Sequence, residues 1–213
     1  MAIQRPAVPS PEKVKLGEGV LIFNFNPNDW EDANSIPFGA TRGGGNYNVE
    51  PTNLPIRFDG DRGEHTKGLK RKTEWVIQIT ANALELDLEL LQKVLPGTVE
   101  DVTGTDTPNY KKFRPKVDYE LSDYIDNLAY ITQTHAGTTV AYVIENVLGD
   151  GALSLAFEDK NEIVPETTFT AHFDPKKMNE VPTYVVEYDA EPTEGQSTGE
   201  GQSTGETQPI DGE

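Results

Sequence analysis

Residues 39–72, GATRGGGNYNVEPTNLPIRFDGDRGEHTKGLKRK, are the stretch whose reading decides the fold. Gly43, Gly44 and Gly45 admit backbone angles closed to other residues, so the chain there can turn sharply or lie against another backbone. Residues 46–50 (NYNVE) alternate polar and apolar, the pattern of a half-buried strand. Pro51 is expected to end that strand, because proline donates nothing to a ladder. Residues 54–58 form a second short run with Leu54, Ile56 and Phe58 on one face. Asp59-Gly60 and Arg62-Gly63 are turn signals. The stretch reads as a long, turn-rich loop between strands, of a length that in compact domains is functional or disordered. Its recurring aromatic and β-branched residues argue against disorder.

Outward from this stretch the chain becomes regular. Before it, residues 20–25 (VLIFNF) are apolar on both faces for most of their length, as a buried strand requires. After it, Trp75, Ile77 and Ile79 alternate with Val76, Gln78 and Thr80, which predicts a strand over 74–80. The period then changes. Leu84, Leu88, Leu91 and Leu95 share a helical face, with Asn82 as cap, Glu85 as its capping partner and Pro96-Gly97 as the stop. One helix over about 83–95 is therefore expected, packed on a sheet. Residues 98–115 read as a polar surface excursion, and 121–127 as one helical turn. Strands are expected at 128–134, 139–145, 153–157, 167–173 and 184–188, with hairpin-type turns at Ala136-Gly137 and Gly149-Asp150-Gly151. The fold class that follows is mainly β: a β-sandwich or barrel with a single packed helix.

Composition sets the boundaries. The 213 residues suit one domain with a full core. The first dozen residues hold three prolines and read as an extended arm, residues 1–15. Residues 16–189 form the domain. Residues 190–213 carry the hexapeptide EGQSTG twice, with six acidic side chains and no basic ones, and are expected to be disordered. The net charge of −18 disfavours tight wrapping of a nucleic-acid backbone. No cysteine is present, which excludes disulfides and thiolate metal sites and fits synthesis in a reducing compartment. The N-terminus shows no signal-peptide pattern and no stretch reaches membrane-spanning length, so a soluble protein made in the cytoplasm is expected.

No catalytic constellation emerges. The triple glycine lacks a following Gly-Lys-Ser/Thr and does not sit between a strand and a helix start, so it is not a phosphate cradle. His65, His135 and His172 are scattered without metal-ligand spacing. Asp59-Gly60-Asp61 lacks the remaining ligands of a calcium loop and reads as a turn. Neither a catalytic residue, nor a metal site, nor a cofactor is assigned. What stands out is the basic cluster Arg57, Arg62, Lys67, Lys70, Arg71 and Lys72, six of the eighteen basic side chains. It is open to three readings: a solvated loop, a nucleic-acid patch weakened by Asp59, Asp61 and Glu64, or a contact surface for an acidic face of an identical neighbour. The third is favoured, since one basic excursion on an acidic body has the charge pattern of head-to-tail association.

Residues 39–51 (GATRGGGNYNVEP), then 56–72 (IRFDGDRGEHTKGLKRK), a strand, a Leu-rich helix and Leu-Pro-Gly, resemble the major tail tube proteins of long, non-contractile-tailed bacteriophages of Gram-positive hosts. The pattern covers about 16–72 well and continues through Pro96-Gly97. Its most specific parts are residues 39–45 and the pairs Asp59-Gly60 and Lys67-Gly68. Glu64-His65-Thr66 departs from the small or proline residues expected before Lys67-Gly68. The resemblance implies a β-sandwich with one flanking helix and a long inter-strand loop. It implies six copies closing into rings that stack into a tube, with an acidic lumen through which the genome passes. It also implies that the Pro-rich start and roughly residues 26–72 bridge subunits and rings. Arg42, Gly43, Gly44, Gly45, Arg57, Asp59, Arg62, Lys67, Lys70, Arg71 and Lys72 would then lie at the subunit and ring-stacking interface. The implied partners are further copies of itself, a tape-measure protein, a tail terminator, and distal tail or baseplate proteins. The implied location is the virion tail, assembled in the host cytoplasm, without a membrane.

Two other classes fit less of the sequence. A carbohydrate-binding or adhesin-like β-sandwich would use exposed aromatics, to which Tyr184 and Tyr188 on one strand face could contribute. A carboxylate hydrolase on a β scaffold would need a carboxylate with a raised pKa, and the sequence offers no preferred pair.

Overall fold

The computed structural model describes residues 9–29, 32–63, 66–104 and 108–188. The expected tail 190–213, residues 1–8 of the expected N-terminal arm, and Glu64 and His65 lie outside the described residues. The elements are β1 (Lys15–Phe23), β2 (Ile36–Pro37), β3 (Thr41–Pro55), β4 (Lys70–Ala83), α1 (Leu88–Val94), β5 (Gly97–Val102), β6 (Tyr110–Pro115), β7 (Ile125–Thr134), β8 (Thr139–Leu148), β9 (Glu166–Ala171) and β10 (Thr183–Glu187). Among the described residues the fold is mainly β, with one α-helix and antiparallel strand pairs, a β-sandwich-like arrangement.

The two layers arise because β8 changes neighbours along its length. Its first half lies between β7 and β10, where Val140 to Ile144 face Glu187 to Thr183. Its last residues, Val147 and Leu148, pair instead with Ala171 and Thr170 of β9. One layer runs β2-β1-β7-β8-β10; the other runs β9-β4-β3. Leu21, Phe23, Leu128 and Ile144 of the first layer share a buried core with Ile77, Ile79 and Phe169 of the second. Phe23, Phe38 and Phe169 form a ring triad, with centroids 5.5 to 6.0 Å apart. Each side chain buried so fully contributes roughly 1.5–3 kcal/mol.

Burial explains the sequence patterns strand by strand. β4 alternates because only one face is covered: Ile77, Ile79, Ala81 and Ala83 are buried and Gln78, Thr80 and Asn82 less so. β7 and β8 are nearly continuous in apolar residues because both their faces are covered. Their second face carries Ala129, Ile131, Ala141 and Val143, packed with Phe25, Ile22, Tyr184, Val186 and Tyr188.

Several expectations are corrected. β3 does not stop at Pro51 but runs to Pro55, with Pro51 opposite Trp75. It lies at the end of the sheet order, where a strand tolerates a missing donor. The helix is shorter than 83–95. β4 holds the chain in the ladder through Ala83, so the cap is Asp87, whose carboxylate accepts the Leu90 amide at 2.7 Å. Its buried side chains are Leu90 and Val94, not the Leu84/Leu88/Leu91/Leu95 stripe. The excursion 98–115 is an antiparallel hairpin of β5 and β6, in which Glu100 and Asp101 face Lys112 and Lys111. Only Leu121–Asp123 coils, as a 3-10 turn, and β7 begins at Ile125. Residues 153–157 form no strand, so the turn at 149–151 closes no hairpin. Gly149 instead lets the backbone lie against the Lys93 carbonyl at the end of α1, where a β-carbon would collide. Near the N-terminus, Pro11–Lys13 form a 3-10 turn rather than an extended arm.

Candidate self-association surface

The β3–β4 pair is a ribbon longer than the sheet it belongs to. β9 pairs with β4 only over Gln78–Asn82, while β3 stays paired out to Pro55 and Lys70. Beyond this, the Ile56 amide donates to the Leu69 carbonyl at 2.9 Å, so the ladder continues toward the turn. The far half of the ribbon therefore projects past its third strand. The expected loop of residues 39–72 is mostly strand, with a connection confined to 56–69.

This geometry divides the predicted interface residues into two groups. Arg42, Gly43, Gly44 and Gly45 lie at the base of the ribbon, where the register shifts between Thr41 and Gly45. Gly43 and Gly44 have φ of 85° and 82°, which make that bulge. Gly45 serves close approach: a β-carbon there would stand 2.5 Å from the Thr80 carbonyl oxygen. Arg42 Nη1 lies 2.6 Å from Glu162 Oε2 and ties the base to the segment before β9. The Glu162 carboxyl is held below its usual range by its own backbone amide and then by Arg42.

Arg57, Asp59, Arg62, Lys67, Lys70, Arg71 and Lys72 lie at the other end, all exposed. Arg57 is engaged within the turn, with Asp61 Oδ2 at 3.1 Å and the Gly63 carbonyl at 3.0 Å. Asp61 also accepts the Gly63 amide, the largest cause of its lowered pKa, with Arg57 adding to it. The Asp59-Gly60-Asp61 run is thus a turn that organises the tip. Lys72 Nζ sits 4.4 Å from the Trp75 ring centroid. Lys67, Lys70 and Arg71 have no ion pair among the described residues. Leu54, Ile56 and Phe58 share this end, and each is at least 50% exposed. The tip is therefore basic and apolar at once. The tip's apolar character was signalled by the shared face of Leu54, Ile56 and Phe58; its isolation from the body was not.

A second surface went unread in the sequence. The segment between β6 and β7 presents Val117, Tyr119 and Leu121 to solvent, Val117 at 99% and Leu121 at 92% exposure. It is held rigidly. Lys116 Nζ bridges Asp123 Oδ1 at 2.6 Å and Glu120 Oε2 at 2.8 Å, and the Glu120 amide donates to Asp123 Oδ2. The alternation of 117, 119 and 121 was visible, but nothing in the sequence marked it as uncovered.

Other candidate groups have local roles. His172 Nδ1 lies 3.1 Å from the Thr170 carbonyl and its ring stands edge-on to Tyr124. It is half-buried, just past the end of β9. The His135 amide donates to the Val14 carbonyl. Tyr184 and Tyr188 are packed in the second apolar cluster, and Tyr188 Oη donates to the Pro27 carbonyl, so they do not form an exposed aromatic platform. Burial raises the pKa of both phenols. Among the described residues no helix is long and apolar enough to cross a membrane.

No protein-family model matches the chain, and no curated protein matches it.

Proposed function

We propose that the chain is a non-catalytic structural subunit that polymerises, six copies to a ring and ring upon ring, into the tail tube of a long-tailed bacteriophage. The observation that carries this reading is the β3–β4 ribbon. A strand pair that outruns its sheet, ends in exposed apolar and basic side chains and leaves the outer edge of β3 open is poorly suited to a solitary molecule. A neighbour's surface would satisfy all three features. The acidic body supports a conduit rather than a binder for nucleic acid, because like charge lets a polyanion pass without sticking. The resemblance of residues 39–72 to the tail tube family supplies the specific assembly. Its tape-measure, terminator and baseplate partners, and its place in the virion, belong to the same reading.

Negative-stain electron microscopy of the purified, untagged protein, concentrated at moderate salt, tests it. Rings or hollow, regularly striated tubes are expected. Separate particles at every concentration, together with specific glycan binding, would overturn it in favour of an adhesin-type module.

A further inference from the structure

The base of the ribbon adjoins a groove of about 390 Å³ between β2 and α1. Its floor is apolar, with Phe23, Phe38 and Leu90 buried beneath Ile36 and Pro37. Its rim is acidic: Glu85, Asp87 and Glu89 line it, with Lys93 as the one basic side chain in the lining. Lys93 Nζ is drawn in over the Phe23 ring, 5.4 Å from its centroid. Two rim carboxylates are already positioned. Glu85 accepts the Ala40 amide at 3.2 Å and Asp87 caps α1; all three rim carboxylates are exposed.

The tip of the ribbon carries the complementary surface, apolar side chains at Leu54, Ile56 and Phe58 beside the exposed cations Lys67, Lys70 and Arg71, which have no ion pair among the described residues. The tip lies at one end of this pair of strands, and the groove adjoins the other end. Leu54 and Arg71 mark one end of the ladder, Thr41 and Ala83 the other. A dozen residues separate them, roughly 40 Å at the rise of a strand. A rigid ribbon cannot fold its tip back that distance, so no molecule can fill its own groove.

We infer that the groove between β2 and α1 receives the β3–β4 tip of another copy of this chain. This rests on the proposed polymeric function and specifies the surface that accepts the tip. The contact is heterologous: each copy offers a tip at one end and a groove at the other, so the association does not close on a pair but propagates. Apolar side chains seat on the floor, and the cations meet the rim, which fixes orientation and rejects a reversed approach.

The absence of cysteine makes a clean test possible. One full-length variant carries Asp59→Cys at the tip; a second carries Ile36→Cys at the groove. Mixed at assembling concentration with a short bismaleimide, they should yield a covalent dimer on a denaturing gel. Adding Lys70→Glu and Arg71→Glu to the tip variant should cut the yield by roughly tenfold or more, as like charges meet across the contact. Combining that reversed tip with Glu89→Lys and Glu85→Gln should restore it; glutamine keeps an oxygen for the Ala40 amide. Circular dichroism and thermal unfolding check that each variant is folded. Rings or tubes with a cross-link yield unmoved by charge reversal would overturn the groove assignment while the tube reading stands. No cross-link, with separate particles at every concentration and specific glycan binding, would overturn both.

Discussion

Tyr47 Oη lies 2.7 Å from Thr183 Oγ1, and this bond ties β3 to β10, the outermost strands of opposite layers. The threonine hydroxyl spends its only hydrogen on the Val143 carbonyl, also at 2.7 Å, so the tyrosine is the donor. The Tyr47 ring packs against Tyr142 of β8, with centroids 5.2 Å apart. Replacing Thr183 by Val should cost about 1 kcal/mol in urea unfolding, and Tyr47→Phe about the same. The double variant should lose less than the sum, because both remove one chain of bonds. Strict additivity would show that the two hydroxyls do not act together.

Gly45→Ala should destabilise the protein by about 1–3 kcal/mol, the usual range for forcing atoms into filled space. The new methyl would meet the Thr80 carbonyl, which belongs to the partner strand and cannot swing aside. Gly44→Ala is the informative comparison. It meets nothing within 4 Å but has φ of 82°, so its cost comes from backbone strain alone, about 1 kcal/mol. Equal melting temperatures for wild type and Gly45→Ala would refute the close approach.

Asp87→Ala should lower stability by about 1 kcal/mol through loss of the helix cap. For a chain of this length that corresponds to a fall of roughly 2–4 °C in melting temperature. Asn82→Ala is expected to change little, since the chain at Asn82 is still strand. If Asn82 proved the costlier position, the helix would start where its leucine spacing suggests.

The Lys116–Asp123 pair gives the loop that carries Val117, Tyr119 and Leu121 a defined pH window. Partial burial pushes the Asp123 carboxyl upward. The Lys116 hydrogen bond, the Glu120 amide and the Lys116 charge outweigh it and hold the group below 3.8. Hydrogen bonds from Asp123 and then Glu120 raise Lys116 above 10.5. A depressed carboxyl stabilises fully above its unfolded value and loses that effect as pH falls through the folded one. A raised ammonium stabilises fully below its unfolded value and loses that effect as pH rises through the folded one. The loop should therefore hold its shape from about pH 4 to pH 10 and loosen on both sides. Carbon-detected NMR titration should place Asp123 below 3.8, and Lys116→Met should move it up. A wild-type midpoint above 3.8 would contradict the network.

Legibility in the sequence followed burial. β4, β7 and β8 were readable because each has at least one face against a core, and that pressure writes period two or a continuous apolar run. The run 153–157 carries similar residues but has no strand beside it, and Leu155 and Phe157 remain exposed. The start of the helix was misplaced by five residues because β-ladder bonds to β3 outcompeted its leucine periodicity through Ala83. β5 and β6 stayed hidden because none of their residues is fully buried, so no core wrote a strong pattern into them. Its pairing is visible only once Glu100 meets Lys112, 3.9 Å apart across the strands. The expected interface residues all lie on β3, on β4 or in the turn between them. That they fall at two ends of one ribbon depends on register, which pairs Leu54 with Arg71 and cannot be read from either segment alone.

The exchange of neighbours along β8 also bears on how the chain matures during synthesis. β8 is complete at Leu148, yet both strands that share its remaining flank, β9 and β10, are made later. Until Glu187 has emerged from the ribosome, one side of β8 is an unpaired strand edge beside apolar side chains, the state most prone to pairing with another nascent chain. The chain thus withholds its finished outline until β10 arrives.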